Sequence, residues 1–328
     1  VFYCPFIFCL EDLILVINLS EQDLKKILLE KEINASKVKM LRKDSGQKKV
    51  YFITVDDIEY ACKVVDVTPY DVYDNFDISN NYSLESIDKS ILNEIFARIN
   101  SECKRINTEI KMNKACSNLP QLKFFETINY VFVNSYYWVT YYIEEKFEGS
   151  SLQYKDNYTD DEVLNFILQM LNHIKIMYNS GYVHRDLKPD NIVVNGEVYK
   201  VIDGGLGKNL KEEEGNSMLS HNLLGTRGYW APEQQNYPPD YKWNFQTDLY
   251  PIGIMAMEMY IPELRKNFKT LRDLDEMYII WKEMFSDNIK RMKVFRNIIV
   301  NLSSYQKLNR FNDIDKAILQ VEQLKECE

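Results

Sequence analysis

Two carboxylates, Asp186 and Asp203, with Lys188 and Asn191 between them, are the side chains in this 328-residue chain whose types and spacing best suit chemistry. One carboxylate can accept a proton from a hydroxyl. The other, together with the Asn191 amide, offers the hard oxygen donors that magnesium favours. Lys188, two residues after Asp186, can set a positive charge beside a phosphoryl group in transfer. The chain also predicts how these groups meet. Apolar stretches at 192–194 and 198–202 flank Asn195-Gly196, the pair that a two-residue type I′ turn prefers, so a hairpin is expected to bring both carboxylates to neighbouring strand ends.

Other elements are needed to hold that loop. Thr159 and Glu162 form a capping-box signature, and Val163, Phe166, Ile167, Met170, Leu171, Ile174 and Met177 follow at helical spacing until Gly181. This helix is expected to support the loop from behind, its methionines serving as core packing. His184 reads as a structural hydrogen-bonder rather than a proton shuttle. Nearer the start, Ser20 with Asp23 predicts a short helix over 21–32, and β-rich alternation predicts strands at 37–41, 49–55 and 58–65. Further strands are expected at 122–133 and 136–144, joined by Asn134-Ser135. Helices are expected at about 270–284, 288–303 and 312–326.

The run HRDLKPDN at 184–191, followed by Asp203-Gly204-Gly205, resembles the catalytic loop and metal-binding triplet of the eukaryotic protein kinases. Lysine at 188 is the serine/threonine form. The resemblance implies an α+β bilobal kinase fold, with a five-stranded antiparallel sheet plus a helix in the small lobe and a mainly helical large lobe. It implies Asp186 as catalytic base, Lys188 as the phosphate-contacting cation, and Asn191 and Asp203 as magnesium ligands. Ala61-Cys62-Lys63 resembles the third-strand triplet, so Lys63 would touch the α- and β-phosphates of ATP and pair with a helix glutamate. Glu109 fits that glutamate best; Glu94 and Glu102 are the other candidates. Gly46 stands where the last glycine of the phosphate-covering loop belongs. The stretch 145–152 resembles the hinge that binds adenine through its backbone, with Glu145 in it. That alignment puts Glu144 at the gatekeeper position.

Gly225 to Glu233 resembles the end of the activation segment, in which Thr226 would contact the catalytic Asp and Lys. Small-molecule kinases lack this segment, so a protein substrate is implied. Arg185 is a candidate receptor for a phosphate installed at Ser217 or Ser220. Asp248 and Gly253 match the helix whose aspartate anchors the catalytic-loop backbone, with Pro251 expected in its first turn. Arg310 falls where the family arginine pairs with the glutamate here numbered 233.

The pattern has gaps. Leu41 and Lys43 replace the earlier two glycines of the phosphate-covering loop, which should loosen that lid. Gly204 replaces an aromatic that normally packs under the regulatory helix; this is expected to leave a hole and a freer backbone, which Leu206 would fill. Two readings follow: an active serine/threonine protein kinase using ATP and magnesium, or a pseudokinase scaffold that binds nucleotide weakly.

The expected organisation is an extension over 1–35, a kinase domain over 36–322 with lobes at 36–146 and 147–322, and a tail at 323–328. Forty basic residues against 49 acidic ones give a formal charge of −9, which argues against a general nucleic-acid partner. Six scattered cysteines without paired spacing suggest a reducing interior, cytosol or nucleus. The apolar opening run is broken by Glu11 and Asp12 after ten residues, too short to span a membrane. The acidic stretch 66–83 reads as a surface insertion.

Overall fold

The Ser20 hydroxyl accepts the Asp23 amide proton and caps a first helix, α1 (Glu21–Glu30), as the Ser-x-x-Asp spacing predicts. This helix belongs to a computed structural model that describes residues 19–41, 48–66, 89–124, 129–133, 137–204, 207–210, 227–234, 241–260 and 293–326. The apolar opening run, the acidic insertion beyond Asp66 and the helix expected at 270–284 lie outside the described residues.

Three strands follow α1: β1 (Lys37–Met40), β2 (Lys48–Val55) and β3 (Ile58–Asp66). They pair antiparallel, with Val55 opposite Ile58. The two residues between, Asp56 and Asp57, have φ of 49° and 63°. That is the doubly left-handed backbone of a type I′ turn, which aspartate tolerates better than most residues. A long helix, α2 (Lys89–Ala115), precedes β4 (Leu122–Lys123), β5 (Asn129–Val133) and β6 (Tyr137–Glu145). The strand expected over 122–133 is thus described as two segments, both laid against β6, in a sheet ordered β1-β2-β3-β6-β4. Alternate residues Tyr51, Ile53, Cys62 and Val64 point into one core with Val139, Tyr141, Ile143 and the α1 residues Leu24, Ile27 and Leu28. The Tyr51 hydroxyl donates to the Leu19 carbonyl at 2.7 Å, so the described part of the extension, from Leu19 on, is built into this core.

Contacts among the described residues group into two compact units. One joins residues up to Cys103 with Lys123–Glu144; the other joins Lys104–Leu122 with Glu145 onward. The second unit contains β7 (Ser150–Ser151) and is built on α3 (Asp160–Asn179), which carries the full reciprocal capping box between Thr159 and Glu162. Each apolar residue expected on its inner face is buried. Against it pack α4 (Gln246–Tyr260) and α6 (Ile314–Glu326), while α5 (Lys293–Ser303) packs on α4. Helix α4 is buried on every described side, which suits its apolar composition.

Two local expectations need correction. Pro251 lies inside the second turn of α4, not the first. Thr247 therefore receives no amide proton from it, and surrounding packing carries the helix through. The hairpin after the catalytic loop comprises β9 (Ile192–Asn195) and β10 (Val198–Val201), with Asn195 opposite Val198. Its turn residues are Gly196 and Glu197. Only Gly196 has positive φ, 60°, the arrangement of a type II′ turn, because glycine is the residue that adopts φ above zero without a Cβ penalty.

Candidate active site

The short strand β8 (Tyr182–Val183) pairs with β11 (Lys208–Asn209) and leads into the loop at 184–191. Asp248 of α4 grips that loop from beneath. Its Oδ2 accepts the His184 amide and its Oδ1 the Arg185 amide, both at 2.8 Å, as the sequence predicts. Burial pushes the Asp248 carboxyl above its usual range, against the opposing pull of His184 and Arg185. Arg185 has φ of 64°, a conformation that costs a non-glycine residue on the order of 1–3 kcal/mol. It is over-determined: the Gln234 side chain also donates to the Arg185 carbonyl at 2.7 Å.

Asp186 comes next, and its carboxylate is gripped on one oxygen. Lys188 Nζ donates to Oδ2 at 3.1 Å and Asn191 Nδ2 to the same oxygen at 3.3 Å. Asn191 Nδ2 also donates to the Asp186 carbonyl at 2.8 Å. His184 ties this loop to Asp203. Its Nδ1 accepts the Asp186 amide at 3.2 Å, which leaves the ring proton on Nε2 to donate to the Asp203 carbonyl at 2.5 Å. The Ile202 amide in turn donates to the Asn191 carbonyl at 2.9 Å. Asp186, Lys188, Asn191 and Asp203 are therefore fixed as one hydrogen-bonded group, with His184 as the structural pin the sequence suggests.

The expected hole at Gly204 is absent. A Cβ there would lie 2.3 Å from Met112 Cε and 2.9 Å from Glu109 Cγ. Met112, fully buried on α2, fills the space; Leu206 lies outside the described residues. Nor is the backbone loose here, because the Gly207 amide closes a turn onto the Gly204 carbonyl at 3.1 Å. Glu109 is itself buried beside this turn.

In the other unit Lys63 is buried, with its Nζ 2.8 Å from Glu144 Oε1 and 5.8 Å from the Tyr142 ring centre. Glu144 is a partner for Lys63 that sequence reasoning did not assign. Adjacent pairing of β3 with β6 brings the two together. Glu145 exchanges hydrogen bonds with Gln121: its amide donates to the Gln121 carbonyl at 2.9 Å, and its Oε2 accepts the Gln121 amide at 3.2 Å. Gly46, Thr226, Ser217 and Ser220 lie outside the described residues.

Three further groupings left no clear mark in the sequence. Tyr154 and Tyr229 both donate to Glu258 Oε2, at 2.5 and 2.7 Å. Burial and that carboxylate push both phenols upward. The Arg185 guanidinium lies 5.0 Å from the Trp243 ring centre, nearly buried. On α3, buried His173 accepts from Asn118 through Nδ1 at 2.7 Å; burial lowers its pKa to about 3. The expected bridge between Glu233 and Arg310 is present and bidentate, at 2.8 and 2.9 Å.

The donor set suits magnesium. Asp203 would supply a carboxylate, and Asn191, whose Nδ2 is turned to Asp186, would supply an amide oxygen. Magnesium keeps waters and phosphate oxygens as its remaining ligands. Among the described residues no cluster of three or more His, Cys, Asp or Glu offers an all-protein metal cage.

The protein kinase domain matches residues 87–320. This chain belongs to the protein kinase family. The protein kinase match starts after Lys63, so the role of that lysine rests on the residue pattern and its burial. Among similar proteins, cyclin-dependent kinase F-3 of Oryza sativa subsp. japonica is 31% identical over 127 residues, covering 38% of this chain and 27% of that protein. GLH-binding kinase 1 of Caenorhabditis elegans is 41% identical over 95 residues, 29% of this chain and 23% of that protein. The probable serine/threonine-protein kinase PknB of Lactococcus lactis is 24% identical over 194 residues, 55% of this chain and 29% of that protein. The chain spans about a quarter of the length of these curated relatives.

Proposed function

We propose that this protein kinase transfers the γ-phosphoryl group of ATP to serine or threonine hydroxyls of a protein substrate. The observation that carries the reading is the single-sided grip on Asp186. Lys188 and Asn191 both donate to Oδ2, which supports a reading in which Oδ1 accepts from a substrate hydroxyl. As the substrate oxygen approaches phosphorus, its proton moves to Asp186, and Lys188 offsets the charge gathering on the phosphoryl oxygens. Asn191 and Asp203 would hold magnesium, whose chemistry is to bridge and neutralise the phosphates. Lys63 serves the α- and β-phosphates, Glu145 offers its backbone carbonyl to adenine because its amide is engaged by Gln121, and Thr226 contacts the catalytic pair. Buried thiols at Cys62 and Cys116, outside any disulfide, support a reducing compartment, cytosol or nucleus. Among the described residues no helix is long and apolar enough to cross a membrane.

One observation favours a second reading, a scaffold that binds nucleotide weakly. The buried Glu144 carboxylate already neutralises Lys63, so phosphate must compete for that cation. Labelled phosphate transfer to a basic protein at millimolar ATP and magnesium separates the two. Transfer that disappears in Asp186→Asn and on chelation with EDTA supports the kinase. Incorporation no higher than in Asp186→Asn supports the scaffold.

A further inference from the structure

Gly204 and Gly207 are not glycines for the sake of backbone conformation, since neither is among the positive-φ residues. They are glycines for space. A Cβ at Gly207 would meet Met112 Sδ at 2.7 Å and Cε at 2.8 Å, and one at Gly204 would meet the same Cε at 2.3 Å. The thioether of Met112 is thus seated between two bare stretches of backbone, and the turn that joins them is closed by the bond from the Gly207 amide to the Gly204 carbonyl.

We propose that Met112 is a positioning residue for Asp203: lodged in the seat formed by Gly204 and Gly207, it supplies from the helix the packing that an aromatic at 204 supplies elsewhere in the family. The proposal rests on Asp203 being a magnesium ligand in phosphoryl transfer. Asp203 is bracketed on both sides. Before it, the Ile202 amide is bound to Asn191; at its own carbonyl stands His184 Nε2; after it lies the turn under Met112. Removing the methionine opens the flank of this bracket that its packing supports, beside the bond from the Gly207 amide to the Gly204 carbonyl. The seat also couples two functional groups, because Met112 lies three residues after Glu109 on α2, close to one helical turn. A shift of that helix moves Glu109 and releases Asp203 together.

An unbranched, adaptable side chain suits this role. A single methyl at 204 can be met by swinging the Met112 terminus aside. A benzyl group cannot, because Met112 is fully enclosed.

The test uses the full chain in four variants: Met112→Ala, Met112→Leu, Gly204→Phe, and Gly204→Phe combined with Met112→Gly. Two properties are read: hydrogen exchange of the Gly207 amide, and the magnesium concentration giving half-maximal thermal stabilisation in the presence of ATP. Met112→Ala is expected to speed exchange and raise the magnesium midpoint several-fold, while Met112→Leu stays near wild type. Gly204→Phe should be at least as impaired, and the double variant should recover much of the loss. The proposal is overturned if Met112→Ala lowers only the melting temperature, with exchange and magnesium midpoint unchanged. It is equally overturned if the double variant is no better than Gly204→Phe, or if the wild type shows no magnesium-dependent stabilisation. Should Gly204→Phe fail to fold, the Ala and Leu variants at 112 decide the matter. A wild type that is stabilised by magnesium yet transfers no phosphate removes the kinase reading and leaves the seat intact.

Discussion

Lys63 and Glu144 form a buried ion pair, and such pairs are asymmetric in their energetics. Taking both charges out of water costs about as much as their attraction returns, but removing one partner strands the other. Glu144→Leu is therefore expected to destabilise the protein, measured by chemical denaturation, and adding Lys63→Met should restore part of the loss. A Glu144→Leu chain as stable as wild type would mean that other groups satisfy Lys63. His173 carries a pH dependence of opposite origin. Its pKa falls from 6.5 to about 3 on folding, so the unfolded chain takes up a proton on acidification well before the native one does. The stability this group contributes is complete above pH 6.5 and declines as the pH drops toward 3. At pH 5 the loss is about 2 kcal/mol by linkage. His173→Gln should flatten the stability profile between pH 6.5 and 5; an unchanged slope would assign it to other groups.

At the scale of elements, the best-signalled pieces are those whose start is written locally. The reciprocal hydrogen bonds of Thr159 and Glu162 at the head of α3 satisfy amides that the helix itself leaves open. Thr159→Ala should cost about 1 kcal/mol, seen as a lower melting temperature with the Asp186 to Asn191 loop intact. The strands β2 and β3 match their expected limits to within a residue because β-rich composition and, in β2, the alternation of fully and partly buried side chains are local properties. The turn after β9 lies one residue later than the Asn195-Gly196 pair suggests. Asn-Gly is a preferred pair for two left-handed positions, yet the cross-strand register set by the Ile192 and Val201 pairing keeps Asn195 in the strand. Pro251 shows the same lesson in α4: local propensity argues for an early position, and burial on all sides carries the helix past it.

Across the whole molecule, Arg310 has the widest reach. Its guanidinium group binds Glu233 through two nitrogens, the Gln246 carbonyl at the head of α4 and the Ser304 carbonyl after α5. A lysine has one nitrogen and cannot reproduce this fork. Arg310→Leu should lower stability by about 3–5 kcal/mol, since it leaves Glu233 and buried carbonyls unmatched. Phosphate transfer per folded molecule should change much less than the folded fraction does, which a titration of soluble protein against activity would measure. Loss of transfer without loss of folded protein would instead make the bridge part of the reaction.

The letters of the chain already specify the family, the loop from His184 to Asn191, the anchoring Asp248, the Glu233 to Arg310 bridge and most element limits. The loop and the element limits depend on a contiguous motif or on periodicity within one segment, while the Asp248 anchor and the bridge are legible only through the resemblance to the family. Only the folded chain decides that Glu144 faces Lys63, that Met112 packs against Gly204, and that the hairpin turns at Gly196 and Glu197. These outcomes rest on close packing between segments far apart along the backbone, where a side chain is chosen by the volume and charge left beside it. No pattern of neighbouring residues carries that information.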